Sequence, residues 1–221
     1  MLHNLETDMV ATSKQPTTDI WLVADWDEYI KNIEHPAHKK AKGYYYNGKY
    51  RIEMTPIGNT HSQDHFIISY AISLYAALKS IPLMGKDNCS YRQIGLREFQ
   101  PDLSCYIGNN VDAVPSGVGI VNLDEYLPPD LVIEVSNTSL ADDLGAKRLL
   151  YEDVGIGEYW VIDVQNVNVI AFAIEDCGSK RITESQVLAG LKLEVITEAL
   201  KRSRNTNHTE AASWLIQQFR D

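Results

Sequence analysis

Cysteine and long apolar runs are scarce in this chain. Its three cysteines, Cys89, Cys105 and Cys177, lie far apart in 221 residues, so they form neither a disulfide framework nor the closely spaced pairs of a zinc knuckle. No apolar run approaches the ~20 residues that a membrane span needs. The first residues also lack the basic and apolar regions of a signal peptide. These absences predict a cytoplasmic protein with free thiols and no membrane association.

Basic residues are also few in comparison with acidic residues. The chain has 20 Lys and Arg against 30 Asp and Glu, a formal net charge of −10. Nonspecific binding to nucleic acid depends on a positively charged surface that releases counterions, so this balance argues against a protein that coats DNA. It leaves a metal-dependent nuclease open, because metal-binding carboxylates are themselves negative. We interpret the basic groups first as solvated surface and second as a DNA-contacting surface: Lys39, Lys40, Lys42, Lys49 and Arg51, then Lys201, Arg202 and Arg204.

Several cofactor and catalytic motifs are missing. The fragments GVG at 117–119 and GIG at 155–157 are too short for a dinucleotide-binding loop, so no organic cofactor is expected. His61 and His65 have the spacing of two zinc ligands on a helix, but no Glu follows His61 to act as a base. A structural or capping role is favoured for both, with His61 near the start of a helix and close to the cleft.

The composition is that of an ordinary globular protein, with 44% apolar and 23% charged residues. We predict a flexible tail over 1–18, one α/β domain over 19–200 and a C-terminal helical extension over 201–221. Periodicity and turn residues predict helices at 21–33, 61–78 and 140–152, a hairpin at 44–54 around Asn47-Gly48, and strands at 91–99, 102–107, 130–136, 158–164 and 167–174. Ser139 and Asp142 suit a capping box at the third helix. Residues 108–129 are predicted to be a loop, and segments at 187–200 and at the C-terminus are less clearly patterned.

A duplicated Pro-Asp motif, each followed by a strand-like segment, is the most informative feature: QPDLSCYI at 100–107 and PPDLVIEVS at 128–136. Side chains alternate across a strand, so Asp102 shares one polar face with Ser104, and Glu134 shares the face of Asp130. A carboxylate such as Glu134 in the middle of a strand needs a partner. We predict that the two strands are neighbours, because one shared site explains both polar faces. Asp102 and Glu134 can then hold one hard cation, for which Mg²⁺ is expected and Mn²⁺ is an alternative.

These motifs, together with NTSLADDLGAKRLLYEDVGIGEYWVIDV directly after them, resemble the Uma-type family of restriction endonucleases within the PD-(D/E)XK nuclease superfamily. The resemblance spans about 26–195. It implies a restriction-endonuclease-like mixed central sheet flanked by helices, DNA as the substrate and a homodimer as the assembly.

The superfamily pattern places an Asp on one strand and Glu-X-Lys on the next. Asp102 and Glu134 match it, but Ser136 stands at the Lys position. The resemblance implies that Lys147, on the following helix, takes that role and shares a stripe with Asp143 and Tyr151. The alternative for Lys147 is a surface ion pair with Asp143.

Three further residues are candidates with alternatives. Glu53, at the end of the hairpin, is either a further metal ligand or water-orienting group, or a solvent-facing strand acid. Gln100 and Tyr151 either contact the scissile phosphate or are structural.

The expected function is therefore metal-dependent hydrolysis of DNA phosphodiester bonds, with Mg²⁺ on Asp102 and Glu134 and with Lys147 assisting the attacking water or stabilising the transition state. One alternative is a noncatalytic DNA-binding or assembly protein of the same fold, which the acidic charge and the missing strand Lys support. Another is a hydrolase of small phosphate esters, which a narrow closed cleft would favour.

Overall fold

Two mixed six-stranded sheets organise the part of the chain that the structure describes. It is a computed structural model in which residues 18–54, 57–117 and 119–220 are described. The predicted tail at 1–18 lies outside these residues except for Thr18. The domain boundaries at 19–200 and 201–221 stay a prediction.

The strands of the described residues are, in chain order, β1 (Leu22–Val23), β2 (Lys42–Tyr46), β3 (Lys49–Glu53), β4 (Leu83–Asp87), β5 (Tyr91–Gln93), β6 (Arg97–Phe99), β7 (Leu103–Ile107), β8 (Val121–Asn122), β9 (Leu131–Ser136), β10 (Glu158–Asp163), β11 (Asn168–Glu175) and β12 (Gly178–Ile182). The helices are α1 (Trp26–Ile33), α2 (Asn59–Leu78), α3 (Leu140–Leu144), α4 (Ala146–Val154), α5 (Leu193–Asn205) and α6 (His208–Arg220). Short 3-10 turns lie at Pro36–His38 and Gly108–Asn110.

The central sheet has the strand order β12-β11-β10-β9-β7-β4. Strands β9 and β10 are parallel, and the other neighbours are antiparallel. The predicted α/β class with a mixed central sheet and flanking helices is thereby confirmed. The predicted adjacency of the two Pro-Asp strands is also confirmed, because β7 pairs with β9 and Ser104 lies opposite Val132. This register brings Asp102 level with Glu134.

The second sheet, which we call the hairpin sheet, has the order β1-β3-β2-β6-β5-β8. Its β2–β3 hairpin turns at Asn47 and Gly48, whose φ angles of 48° and 68° are the positive values of a two-residue hairpin turn. This turn fixes the register, so Lys42 lies opposite Glu53 and Tyr44 opposite Arg51. The predicted hairpin is confirmed.

Apolar cores cover both faces of the central sheet. One core packs Leu103, Cys105 and Ile133 against α2, α5 and α6. The other is rich in aromatic residues and contains Tyr106 and Val132 of the same strands together with Tyr44, Tyr91, Phe99, Tyr151 and Tyr159. Every residue of β7 and β9 is buried. The expectation of a simply polar second face is wrong, because the hairpin sheet and α4 cover it with tyrosines.

Several local predictions differ from the structure. The helix predicted at 21–33 begins only at Trp26, after the short strand β1 (Leu22–Val23). The loop predicted at 108–129 contains the two-residue strand β8. The single helix predicted at 140–152 is divided into α3 and α4 at Gly145, which has φ −107° and ψ −105°. The capping box is wrong, because Ser139 donates its hydroxyl to the Asp143 carboxylate at 2.6 Å and makes no side-chain cap hydrogen bond. The strand predicted at 91–99 is the β5–β6 hairpin, with a turn at 94–96. Among the described residues, no helix is long and apolar enough to cross a membrane.

Candidate active site

A cleft of about 180 Å³ lies where the β2–β3 hairpin, the start of α2, the ends of β7 and β9, and α4 meet. The four carboxylate and lysine residues predicted from the sequence, Asp102, Glu134, Glu53 and Lys147, all line it. Lys42, Arg51 and His61 line it as well. A larger groove of about 790 Å³ lies elsewhere, between β12 and the helices α5 and α6, and is lined by other residues such as Arg181 and Trp214.

Asp102 stands directly before β7 and is fixed by the neighbouring strand. Its Oδ2 accepts the main-chain N–H of Val135 at 2.7 Å. Its Oδ1 contacts the ammonium of Lys42 and lies 3.5 Å from Nε2 of His61. Burial alone would raise the pKa of Asp102, but the hydrogen bond from His61 and the charge of Lys42 hold that pKa below its usual range. The carboxylate is therefore kept ionised.

Glu134, in the middle of β9, is almost completely buried. Its Oε1 accepts hydrogen bonds from the hydroxyls of Tyr44 at 3.0 Å and Tyr151 at 2.7 Å, and it lies 3.6 Å from Nζ of Lys147. Burial raises the pKa of Glu134 to about 7, with Lys147 opposing and Asp102 reinforcing the shift. Two carboxylates that meet in one cleft are thus held in different environments.

Lys147 is enclosed by carboxylates. Its Nζ lies 2.9 Å from Asp143, 3.0 Å from Glu53 and 3.6 Å from Glu134, and it sits 4.1 Å from the centre of the Tyr44 ring. Burial opposes its charge, yet Asp143, Glu134 and Glu53 together raise the pKa of Lys147 well above its usual value. The pair with Asp143 exists, but it is buried, so a surface ion pair does not describe it.

Glu53 and Arg51, on β3, complete this network of charges. Arg51 Nε lies 2.8 Å from Glu53, and its Nη1 lies 3.1 Å from Asp142. Burial would raise the pKa of Glu53, but Lys147 and Arg51 lower it. The alternative of a solvent-facing Glu53 is wrong, and so is the interpretation of Arg51 as solvated surface, because Arg51 is 6% exposed.

Lys42 and Tyr44 are site residues whose roles the sequence did not indicate. A signal for Lys42 was available, since the Asn-Gly turn fixes the hairpin register and places Lys42 across from Glu53. Directly opposed residues of a hairpin point to one face, so an acid at Glu53 implies that Lys42 lies beside it.

Asp130, the aspartate of the second Pro-Asp motif, has a structural role, in contrast to Asp102 of the first motif, which lines the cleft. Asp130 Oδ2 accepts the main-chain N–H of Ile107 at 2.7 Å, and its Oδ1 accepts a hydrogen bond from Asn110 at 2.7 Å. It therefore fixes the exit of β7 rather than the cleft. Gln100 donates to the Asn88 carbonyl at 3.0 Å, and buried Tyr151 holds Glu134, so the structure gives both residues structural contacts.

Comparison with protein families identifies the chain. A family model, Uma2, described as "Putative restriction endonuclease", matches residues 26–203. The chain belongs to the Uma2 family. A solved structure with a similar fold is that of "a putative nuclease belonging to DUF820" from Anabaena variabilis, with a TM-score of 0.54 and 19% sequence identity, covering 80% of this chain and 98% of the other. No curated protein matches the sequence significantly.

The donor set of this Uma2 protein suits a hard divalent ion more than a closed metal cage. Among the described residues, no three His, Cys, Asp or Glu side chains converge as a ligand group. Mg²⁺ needs only one or two carboxylates, since it keeps several water molecules and takes further oxygens from phosphates. Asp102 and Glu134 supply two carboxylates on one cleft, next to the main chain of Val135. These residues fit Mg²⁺ or Mn²⁺, and the oxygen-rich set argues against a structural zinc site.

Proposed function

We propose that this Uma2 protein is a Mg²⁺-dependent endonuclease that hydrolyses DNA phosphodiester bonds at a site of the PD-(D/E)XK type. One observation carries the proposal. Asp102 from one strand and Glu134 from its neighbour converge on a single cleft, and Lys147 lies 3.6 Å from Glu134 although it comes from a helix. Family membership supports a nuclease function independently.

Asp102 and Glu134 would hold the ion, with Mn²⁺ as an alternative to Mg²⁺. When bound there, the ion would supply Lewis acidity toward the phosphate and lower the pKa of a coordinated water. Asp102 would contribute Oδ1 to the ion, because its Oδ2 accepts a hydrogen bond from the main-chain N–H of Val135. Tyr44 and Tyr151 orient Glu134 through Oε1. These hydrogen bonds hold both acids in place before substrate arrives.

Lys147 would supply the positive charge that Ser136 cannot. Its ammonium lies between Glu134 and Glu53, so it is fixed close to the proposed metal ligands. A preorganised cation in a water-poor site stabilises negative charge that develops at phosphorus. Glu53 would either bind the metal as a third carboxylate or position Lys147, and its 3.0 Å contact with Lys147 favours positioning.

DNA is the proposed substrate and a homodimer the proposed assembly. The cleft carries accessible basic groups in spite of the net charge of −10, because exposed Lys40 and partly exposed Lys42 line it. Such a local group can contact a phosphate backbone where the rest of the surface repels it.

Incubation of the purified protein with plasmid and single-stranded DNA, with and without Mg²⁺ or Mn²⁺, tests the proposal. We expect metal-dependent cleavage that is lost in Asp102→Asn and in Glu134→Gln, because each change removes a charged ligand without changing side-chain size. Glu175→Gln, which makes the same chemical change at an exposed position of β11, should cleave like the wild type. Equal cleavage by all four proteins would assign the activity to another site or to a contaminant.

A noncatalytic DNA-binding protein is the second candidate, and one observation favours it. Lys147 is enclosed by Asp143, Glu53 and Glu134, with a side chain only 2% exposed, so the cluster also makes sense as a buried structural ion network. This candidate predicts DNA binding without cleavage at any metal concentration. A chromogenic phosphodiester in the same assay distinguishes a small-ester hydrolase from both.

A further inference from the structure

Lys42 occupies the oxygen of Asp102 that faces the cleft. Oδ2 of Asp102 is already taken by the amide of Val135 at 2.7 Å. That leaves Oδ1 for a cation, and the Lys42 ammonium contacts Oδ1 directly, with His61 at 3.5 Å on the same atom. A divalent ion held by Asp102 would need this oxygen.

The two lysines of the cleft differ in how easily they can move. Lys147 is 2% exposed and contacts three carboxylates, so moving it would leave buried charges without a partner. Lys42 is 16% exposed and contacts one carboxylate at the mouth of the cleft. Its four-carbon side chain is flexible and its ammonium is readily hydrated. Lys42 is therefore the cation that can leave its partner at low cost.

Repulsion between like charges also favours release of Lys42. Its ammonium already contacts Oδ1 of Asp102, so a divalent ion bound to the same oxygen would lie close to it. Moving the Lys42 ammonium into solvent relieves that repulsion.

We propose that Lys42 is a placeholder cation: it neutralises Asp102 while no metal is bound, and a divalent ion displaces it toward the open cleft. The inference rests on the proposed function, since it takes Asp102 as a metal ligand. In this role Lys42 contacts neither the substrate nor the reacting atoms, so it is not a catalytic residue. The divalent ion and the Lys42 ammonium then compete for Oδ1 of Asp102. The metal affinity of the wild type is therefore lower than the affinity that the site would have without Lys42.

Mn²⁺ binding measured by calorimetry without DNA tests this competition. We expect Lys42→Met to bind Mn²⁺ more tightly than the wild type, on the order of tenfold, the effect of losing one competing charge-assisted hydrogen bond. Lys42→Gln should behave in the same way while keeping a hydrogen-bond donor beside Asp102. Lys49→Met removes the same charge from an exposed position of the same hairpin and should bind like the wild type.

A second measurement uses the wild-type protein alone. Acetylation of lysines by a water-soluble ester, followed by mass spectrometry, should become faster at Lys42 when Mn²⁺ is added, because the freed ammonium loses its carboxylate partner. The rate at Lys49 should not change.

The outcomes separate the two proposals. If wild type and Lys42→Met bind Mn²⁺ with equal affinity, or if Mn²⁺ leaves Lys42 acetylation unchanged, the placeholder role is refuted while the metal site stands. If Asp102→Asn binds Mn²⁺ as well as the wild type does, Asp102 is not a ligand, and the proposed function and this inference fail together. Weaker binding in Lys42→Met would also overturn the inference, since it would make Lys42 part of the support for the site.

Discussion

At the scale of one residue, the buried ammonium of Lys147 is stabilised by the groups that surround it. Asp143, Glu53 and Glu134 surround it within 3.6 Å, and the face of Tyr44 covers it. Removing a charged partner from such a cluster leaves the others unpaired in a poorly hydrated space. Lys147 therefore contributes to stability as well as to the proposed chemistry, and an experiment has to measure the two separately.

For Lys147→Met we expect the rate of metal-dependent cleavage to fall by roughly 10²- to 10³-fold, the scale on which one preorganised donor acts. The free energy of unfolding should fall by about 3–5 kcal/mol, because three carboxylates lose their cation. Cleavage rates at saturating Mg²⁺ and urea unfolding measure the two effects. Lys180→Met, at an exposed lysine of β12, is the matched control.

A second change tests whether the cation has moved from strand to helix. Ser136 lies on β9 two residues after Glu134, so a lysine there would point to the same side of the strand. Ser136→Lys combined with Lys147→Met should recover part of the cleavage. Wild-type cleavage in Lys147→Met alone would show that Lys147 has a structural role only.

At the scale of elements, the sequence predicts the strands that carry the site but not the elements that cover them. Alternation and the Pro-Asp starts are local patterns, and they correctly placed β7 beside β9. The Asn-Gly turn is equally local and determines the β2–β3 register. In contrast, the hairpin sheet covers the central sheet through tyrosines far apart in the sequence, which no window of residues can indicate.

Other elements were missed for identifiable reasons. Strand β4 contains Gly85 and alternates weakly, and it forms because β7 offers it a partner. The division between α3 and α4 at Gly145 depends on backbone angles that the 3.6-residue period does not reveal. Within the site, the motifs and the family resemblance predicted Asp102, Glu134 and Lys147. The contact of Lys42 with Asp102 depends on how the hairpin docks on β7.

A buried ion pair joins α2 to α5 and gives a prediction about elements. Asp64 is 0% exposed and accepts hydrogen bonds from two nitrogens of Arg204, whose guanidinium also donates to the Val164 carbonyl at 2.7 Å. Asp64→Ala should lower the free energy of unfolding by about 3–5 kcal/mol, since it leaves the guanidinium without its carboxylate. Urea denaturation measures this loss.

The control for Asp64 is an exposed ion pair on α5, the helix that carries its partner Arg204. Glu198 and Arg202 lie 2.9 Å apart at i, i+4, with side chains 40% and 44% exposed. Glu198→Ala should cost less than about 0.5 kcal/mol. Similar losses in the two variants would mean that α5 is held by its apolar face and not by the Asp64 pair.

At the scale of the whole molecule, charge and symmetry determine how DNA could be approached. The chain carries a net charge of −10, so the proposed contact with a phosphate backbone would use local basic groups such as Lys40 and Lys42 of the cleft. A duplex has two strands related by two-fold symmetry, and one cleft serves one strand. Two copies related by a two-fold axis would place a cleft at each strand.

We therefore predict a homodimer in solution. Multi-angle light scattering at micromolar concentration should give about twice the chain mass of 24.9 kDa. A mass of one chain across that range would contradict the prediction. It would leave the cleft and its proposed metal ligands unaffected, because every residue assigned to them comes from a single chain.

The separation in sequence of the residues that meet in the cleft has a consequence for synthesis on the ribosome. The contact of Lys42 with Asp102 spans 60 residues, and the hydrogen bond of Tyr44 with Glu134 spans 90. Chains fold more slowly when their contacts are distant in sequence, because long loops must close first. The hairpin that carries Lys42 and Glu53 is made early, but the contact of Glu53 with Lys147 has to wait until α4 emerges. A nascent chain therefore carries no assembled cleft until more than half of it has been translated, so the proposed cleavage activity can appear only after Lys147 has been synthesised.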